Sequence, residues 1–335
     1  MRQTNTRTVA VKKPLGVIDA ISAGLALVWR RPWTLLIPIL FDALIWLLPR
    51  LSLTQLFRPY VTIMLGATAL SSDPEAAEET RRGLQQMAES FNLLGLVTAA
   101  LNGVARLPSL LAVDAADVTS PINAWAYSIP LQSSALMVLL FIPLFILGLL
   151  AVALYLEWIA QGARPLESQP RGASLLRVAR LWLRLILFAL LLIALLLAAV
   201  LVLLLIESAV NSPEIGAFAT LLITIGLFWV FIYFFFVPSA AAVSDIGIRQ
   251  ALRRSTLLFR VFFWSSLGLV ALSVFLDRGL AIVWDGFTVN PIGVIIGITA
   301  NAFIGTALIA ASMVYYQDRM LVLEQIRQNL NAVKK

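Results

Sequence analysis

The sequence predicts an all-α, polytopic membrane protein with about six transmembrane helices, and three observations carry that prediction. First, 60% of the 335 residues are hydrophobic and 13% are charged, whereas soluble domains hold roughly 45–50% and about 25%. Second, six apolar runs reach or approach the roughly 20 residues a membrane helix needs, each bounded by charges, prolines or aromatics. Third, lysine and arginine collect on alternate connections between those runs, the bias that sets membrane orientation.

The same inventory excludes chemistry. There is no cysteine and no histidine, so zinc and iron–sulfur centres, thiol nucleophiles and histidine triads lack their residues. No G-x-x-x-x-G-K-[ST] loop is present, so the chain does not bind a nucleotide through a P-loop. No cofactor is expected. The formal charge is +7, but it is spread over four separate edges, where lipid head groups are the nearest anions. Nucleic acid is therefore not an expected partner.

In chain order, residues 1–13 carry Arg2, Arg7, Lys12 and Lys13 with no acid and read as a disordered cytoplasmic arm. This opening does not resemble a cleaved leader. From Pro14 a segment with Val17, Ile21, Leu25 and Val28 at helical spacing ends at Arg30-Arg31-Pro32. It is too short to span and is expected to lie in the interface. The first span, 33–48, is interrupted by Pro38 and Asp42; the others are expected near 135–158, 182–206, 215–237, 262–281 and 292–315. A single membrane domain over 14–335 is expected.

Six spans put both termini on one side. Segments 1–31, 159–184, 238–261 and 317–335 together hold 19 of the 25 lysines and arginines. The positive-inside bias makes that side cytoplasmic. The connection 50–131 is a long extracytoplasmic insertion. Within it, Ser72 or Asp73 followed by Pro74 reads as a helix start. Leu84, Met87, Phe91, Leu94 and Leu101 then form an amphipathic stripe. The stripe is expected to pack on the bundle or the lipid interface; a lid over a lipid-accessible groove is the alternative. Trp125 and Tyr127 are expected interface anchors.

Variants of one unit precede three spans. Aligning Gly16 with Gly247 places Ala20 on Ala251 and Trp33 on Trp264, and Trp182 enters the third span behind Arg177, Arg180 and Arg184. Each unit reads as an interfacial amphipathic helix followed by two membrane helices, three units in all. In the segment 238–264, Arg249, Arg253, Arg254 and Arg260 set orientation, while Ile248, Leu252 and Phe259 anchor the helix at the interface. Trp33, Trp182 and Trp264 are the matching aromatic anchors.

Phe236-Val237-Pro238, then Ile248-x-x-Ala251-Leu252-x-Arg254-Ser255 and the aromatic entry to Trp264, form a recognisable signature. So does Tyr315-Tyr316-Gln317-Asp318-Arg319 with Glu324, although its aspartate stands one residue further from the tyrosines. These motifs resemble a group of six-helix bacterial membrane proteins of uncharacterised role. That group is similar to the membrane domain attached to some glycerophosphodiester phosphodiesterases. The resemblance covers mainly 215–325 and implies architecture and a bacterial plasma membrane. It does not bring the phosphodiesterase activity, since the catalytic barrel needs about 250 residues of its own.

An ionisable residue inside a span is a functional candidate, because a mid-membrane charge costs at least ~2.5–3.5 kcal/mol. Asp42 is the strongest such case here and Asn301 the strongest uncharged one. Asp42 reads first as a structural hydrogen-bonding group and second as a proton or cation site. Glu157 is expected to pair with Arg177, Arg180 or Arg184, and Glu207, Asp277 and Arg278 to form interfacial ion pairs. The expected function is non-enzymatic: a scaffold or accessory subunit organising membrane lipids or a protein partner. The alternative is a transporter or lipid-handling permease using Asp42, Asn301 and a groove under 50–131.

Overall fold

A computed structural model of the chain describes residues 14–56, 59, 62, 78, 81–83, 92–114, 128–164, 175–210 and 212–333. The expected arm, the 72–74 helix start, Leu84, Met87, Phe91, Trp125 and Tyr127 lie outside them. The fold is all-α. Among the described residues five helices are long and apolar enough to cross a membrane, and a sixth crossing is obtained if the broken pair Val17–Arg30 and Pro32–Leu47 counts as one. The chain divides into two compact units: Met1–Arg31, Ala153–Phe275 and Ala307–Lys335 form one, Pro32–Val152 and Leu276–Thr306 the other.

In the first unit, α1 (Val17–Arg30) is followed in sequence by the end of α5 (Ser134–Ala163) and by α6 (Leu175–Ala209). Then come α7 (Pro213–Phe234), α8 (Val237–Ser244) and α9 (Ile248–Val261). The beginning of α10 (Phe263–Asp285) and the end of α11 (Pro291–Val333) complete it. α8 is buried from Val237 to Val243. Phe236 stacks on Tyr315 at 5.6 Å between centroids, and Ser239 shares a 2.8 Å hydrogen bond with Ser312. α1 packs backbone to backbone on α11: a Cβ added at Gly24 would come within 2.3 Å of the Ala307 carbonyl oxygen.

α1 and α9 agree in detail. Both have 14 residues and a glycine N-cap, Gly16 at φ −66°, ψ 163° and Gly247 at φ −65°, ψ 159°. Ala20, Gly24, Leu27 and Val28 are buried in α1; Ala251, Ser255, Leu258 and Phe259, the matching positions, are buried in α9. Each helix then breaks before the next begins, at Arg31 and at Phe262. The third expected interfacial helix differs. Its arginines lie on α6, which runs unbroken from Leu175. The segment L-L-R-V-A-R-L-W-L-R has no proline or glycine to end a helix, and leucine and arginine are good helix formers.

In the second unit, a 3₁₀ turn (Pro32–Leu35) leads into α2 (Leu36–Leu47), with Pro38 in the first turn, where a missing N–H leaves no helical bond unmade. By rise per residue the turn and helix cover about 26 Å, short of the roughly 30 Å hydrocarbon core. The expected span 33–48 is thus no crossing by itself. Strands β1 (Arg50–Ser52) and β2 (Ser128–Pro130) pair in parallel and join the two ends of the long connection. α3 (Leu93–Ala105) starts at Asn92, whose side chain accepts from the Leu94 N–H. A single helix carrying the stripe from 74 through Leu101 is therefore broken at Asn92, which is extended (φ −117°, ψ 136°) and bridges to Ser52. α4 (Leu111–Asp114) follows. Among the described residues of this unit, Ile45 and Trp46 pack with Leu110, Leu111, Val294 and Ile298, and Leu53 with Leu93 and Leu131.

The long helices leave most of their apolar surface uncovered. Only 6% of the most apolar window of α6 is buried, and 17% of that in α5, against 61% in α11. Such surface has no stable home in water; lipid is its natural solvent.

Candidate functional site

Asp42, on α2, is fully buried. Its carboxylate accepts from the Ser109 hydroxyl, from the Leu110 N–H at 2.9 Å and from the Leu111 N–H at 3.3 Å. These three donors belong to the turn that opens α4, so the carboxylate pins the long connection to α2. Asn301 is buried on α11 and supplies none of those bonds. The structure therefore does not assemble Asp42 and Asn301 into a hydrogen-bonded pair, and Asp42 has the partners of an anchoring group.

The densest polar cluster lies in the first unit, where the ends of α5, α6, α8 and α11 meet α9. Glu157 is 2% and Arg164 8% exposed, and they form two parallel 2.8 Å hydrogen bonds. Arg164 also donates to the carbonyls of Ala242 (2.6 Å) and Val243 (3.2 Å), the last turn of α8. Those carbonyls have no intrahelical donor, so one guanidinium serves both a carboxylate and a helix end. Arg180 and Arg184 bind Asp245 at 2.9 and 2.6 Å. Asp245 follows α8 in the left-handed conformation (φ 50°), which aspartate tolerates better than most residues. Of the three arginines expected to pair with Glu157, Arg177 does so, at 3.8 Å, while the closest partner is Arg164. Arg164 takes both its oxygens, and Arg180 and Arg184 go to Asp245. Sequence separation explains this: residues 157 and 164 are seven apart, two turns along one face of α5.

The C-terminal signature surrounds this cluster. The Tyr315 hydroxyl lies 2.5 Å from that of Ser265 and 3.1 Å from that of Ser266. The Ser255 hydroxyl, in the α9 signature, donates to the Tyr233 carbonyl at 2.6 Å. Asp318 accepts from the Leu15 N–H at 2.8 Å while Arg319 donates to the Leu15 carbonyl at 2.9 Å, so adjacent side chains hold both backbone polar groups of one residue. The Arg319 guanidinium also sits over the rings of Phe262 and Tyr315, at 4.9 and 4.7 Å from their centroids, a cation–π arrangement.

Beside these contacts opens a cleft of about 320 Å³, with Arg164, Arg177, Ser244, Asp245, Arg254 and Tyr316 in its wall. Among the described residues no three acids, cysteines or histidines gather as a metal site would require.

The remaining expected residues lie apart. Arg249, Arg253 and Arg260 are exposed along α9, and Trp33 (48%) and Trp264 (81%) present their rings outward, as interfacial anchors do. Trp182 is half-buried on α6. Asp277 lies within electrostatic reach of Arg278 and Arg106. Glu207 is exposed, and no ion pair among the described residues includes it. Comparison of the chain with family models, curated proteins and solved structures finds no match.

Proposed function

We propose that this protein is a non-enzymatic integral membrane protein of a bacterial plasma membrane, with both termini cytoplasmic, that acts as a scaffold or accessory subunit organising lipids or a partner. The observation that carries this reading is the employment of Asp42. The acid best placed to serve a transport path is sealed and holds three donors of its own outer segment. The uncovered faces of α5 and α6 support the lipid half of the reading. Duplication of the interfacial unit belongs to the same proposal, and the matching of α1 with α9 supports it. So does the resemblance of the signature motifs to the six-helix group.

The test purifies the full chain in mild detergent and identifies what accompanies it. Co-purification of a stoichiometric lipid or protein is expected, together with an Asp42→Asn variant that retains expression and the same companion. Proton-coupled solute uptake in proteoliposomes, abolished by Asp42→Asn in a well-folded sample, would instead establish transport. Orientation is read by reporter fusions at Ser71 and Lys335, which are expected on opposite sides of the membrane.

A further inference from the structure

The arginines around the 320 Å³ cleft are not equally employed. Arg164 has its donors committed to Glu157 and two carbonyls. Arg180 and Arg184 converge on Asp245. Arg177 and Arg254 are different. Arg177 reaches a carboxylate only at 3.8 Å, and that carboxylate already receives two 2.8 Å bonds from Arg164. Arg254 makes two long contacts, 3.4 Å to the Ser244 hydroxyl and 3.4 Å to the Tyr316 hydroxyl, and has no ion pair among the described residues. A guanidinium carries five N–H donors, so these contacts leave both arginines with donors to spare. Both line the cleft, and two hydroxyls stand beside them.

Charge agrees with this. Among the described residues five arginines (164, 177, 180, 184 and 254) stand with three carboxylates (Glu157, Asp245 and Glu324), a surplus of two positive charges. Planar forks with free donors fit a tetrahedral oxyanion through paired hydrogen bonds. The volume lies in the range of small-ligand sites, roughly 300–1,000 Å³. Location supplies the rest. Every lining element is the end of an apolar run or the amphipathic α9, and Met320 and Leu321 extend the wall with apolar surface. That is the level at which basic pockets between membrane helices meet lipid head groups.

We infer that this cleft is a phosphate-binding site, Arg177 and Arg254 donating to the phosphate with Ser244 and Tyr316 beside it, and that the phosphate is that of an anionic phospholipid head group. This rests on the membrane reading above and specifies one of its ligands. Glu324, at the exposed end, disfavours a second phosphate and leaves room for a neutral or amine-bearing head.

The experiment titrates the detergent-solubilised full chain with phosphatidylglycerol, with phosphatidylcholine and with inorganic phosphate, reading bound species by native mass spectrometry and phosphate by equilibrium dialysis. One phosphatidylglycerol per chain is expected to bind at least tenfold more tightly than phosphatidylcholine. The Arg177→Gln/Arg254→Gln pair should lose at least tenfold. Arg249→Gln/Arg253→Gln, which removes the same charge from exposed positions on α9, should lose less than twofold. Equal losses in the two pairs, or equal binding of the two lipids, overturn the site. Inorganic phosphate binding that matches phosphatidylglycerol and disappears in the cleft pair keeps the phosphate site but assigns it to the free anion. If the cleft pair does not fold, Arg254→Lys and Tyr316→Phe replace it; the former keeps the charge and loses the fork, so a loss of several-fold is expected, and unchanged binding in both overturns the proposal. Loss of head-group selectivity with unchanged total lipid per chain would sink the site and leave the membrane reading standing.

Discussion

Removing one partner of the Glu157–Arg164 pair should be among the most damaging changes available to the first unit. Glu157→Ala takes from a guanidinium that is 8% exposed the carboxylate it holds through two 2.8 Å bonds, and keeps its two carbonyl acceptors. Breaking a buried pair from one side costs about 3–5 kcal/mol. Arg164→Ala should cost at least as much, because it leaves the buried Glu157 carboxylate only Arg177 at 3.8 Å and also frees the carbonyls of Ala242 and Val243, each about 1–3 kcal/mol if left without a donor. The double variant removes the orphaned charge, so its cost should stay near that of the worse single change. The thermodynamic cycle then shows a coupling of about 3 kcal/mol. Replacing both residues by methionine should recover only part, since the two α8 carbonyls still lack a donor. The assay is equilibrium unfolding of the full chain in mixed micelles, followed by far-ultraviolet circular dichroism. Additivity of the single changes within about 0.5 kcal/mol, or a Glu157→Ala cost below about 1 kcal/mol, would refute the reasoning.

Further outcomes can be checked on the same preparation. Gly24→Val should destabilise by about 1–3 kcal/mol or more, because a Cβ there lies 2.3 Å from the Ala307 carbonyl oxygen; Gly103→Ala, with nothing within 4 Å, should gain about 0.5–1 kcal/mol. Unfolding midpoints distinguish the two, and equal effects would contradict the close approach of α1 to α11. Asp42→Ala should cost about 2–5 kcal/mol by leaving the donors of Ser109, Leu110 and Leu111 without their acceptor, with Asp42→Asn milder because one carbonyl oxygen remains; a neutral Asp42→Ala would remove the anchoring role. Asp318→Ala should speed hydrogen exchange at the Leu15 amide at least tenfold while the amides of α8 are unchanged. Uniform acceleration would show global loosening instead.

What could be read from the sequence divides along physical lines. The long apolar helices were legible because hydropathy over a span-length window is a strong signal. Their ends were less so: α11 continues to Val333 and α6 starts at Leu175, since nothing in either flank terminates a helix. The Gly16–Gly247 alignment pointed to two helices whose caps, lengths and buried positions agree. The unbroken entry to α6 was missed because an arginine pattern alone does not show whether the backbone bends. Asn92 before an apolar run is a readable N-cap signal, whereas β1 and β2, three residues each, are too short for any periodicity. Arg164 was missed as the partner of Glu157, although a spacing of seven residues on one helix is a signal that could have found it. Asp245 was not legible, because its pairing with Arg180 and Arg184 depends on how the turn after α8 is placed.

The grip of Asp318 and Arg319 on Leu15 joins residues 303 and 304 positions apart, and the seat of Gly24 on Ala307 and Ala311 lies beside it. At about 5–20 residues per second of synthesis, roughly 15–60 s separate the making of α1 from the making of its partner. During that interval Gly24 has no Ala307 and Ala311 to close on, and Leu27 waits for Gly162 of α5. An amphipathic helix can wait at the membrane surface, its apolar face in lipid and its arginines among head groups. The amphipathic character of α1 thus serves the order of assembly as well as the finished fold: α1 is made about 280 residues before the part of α11 that seats it.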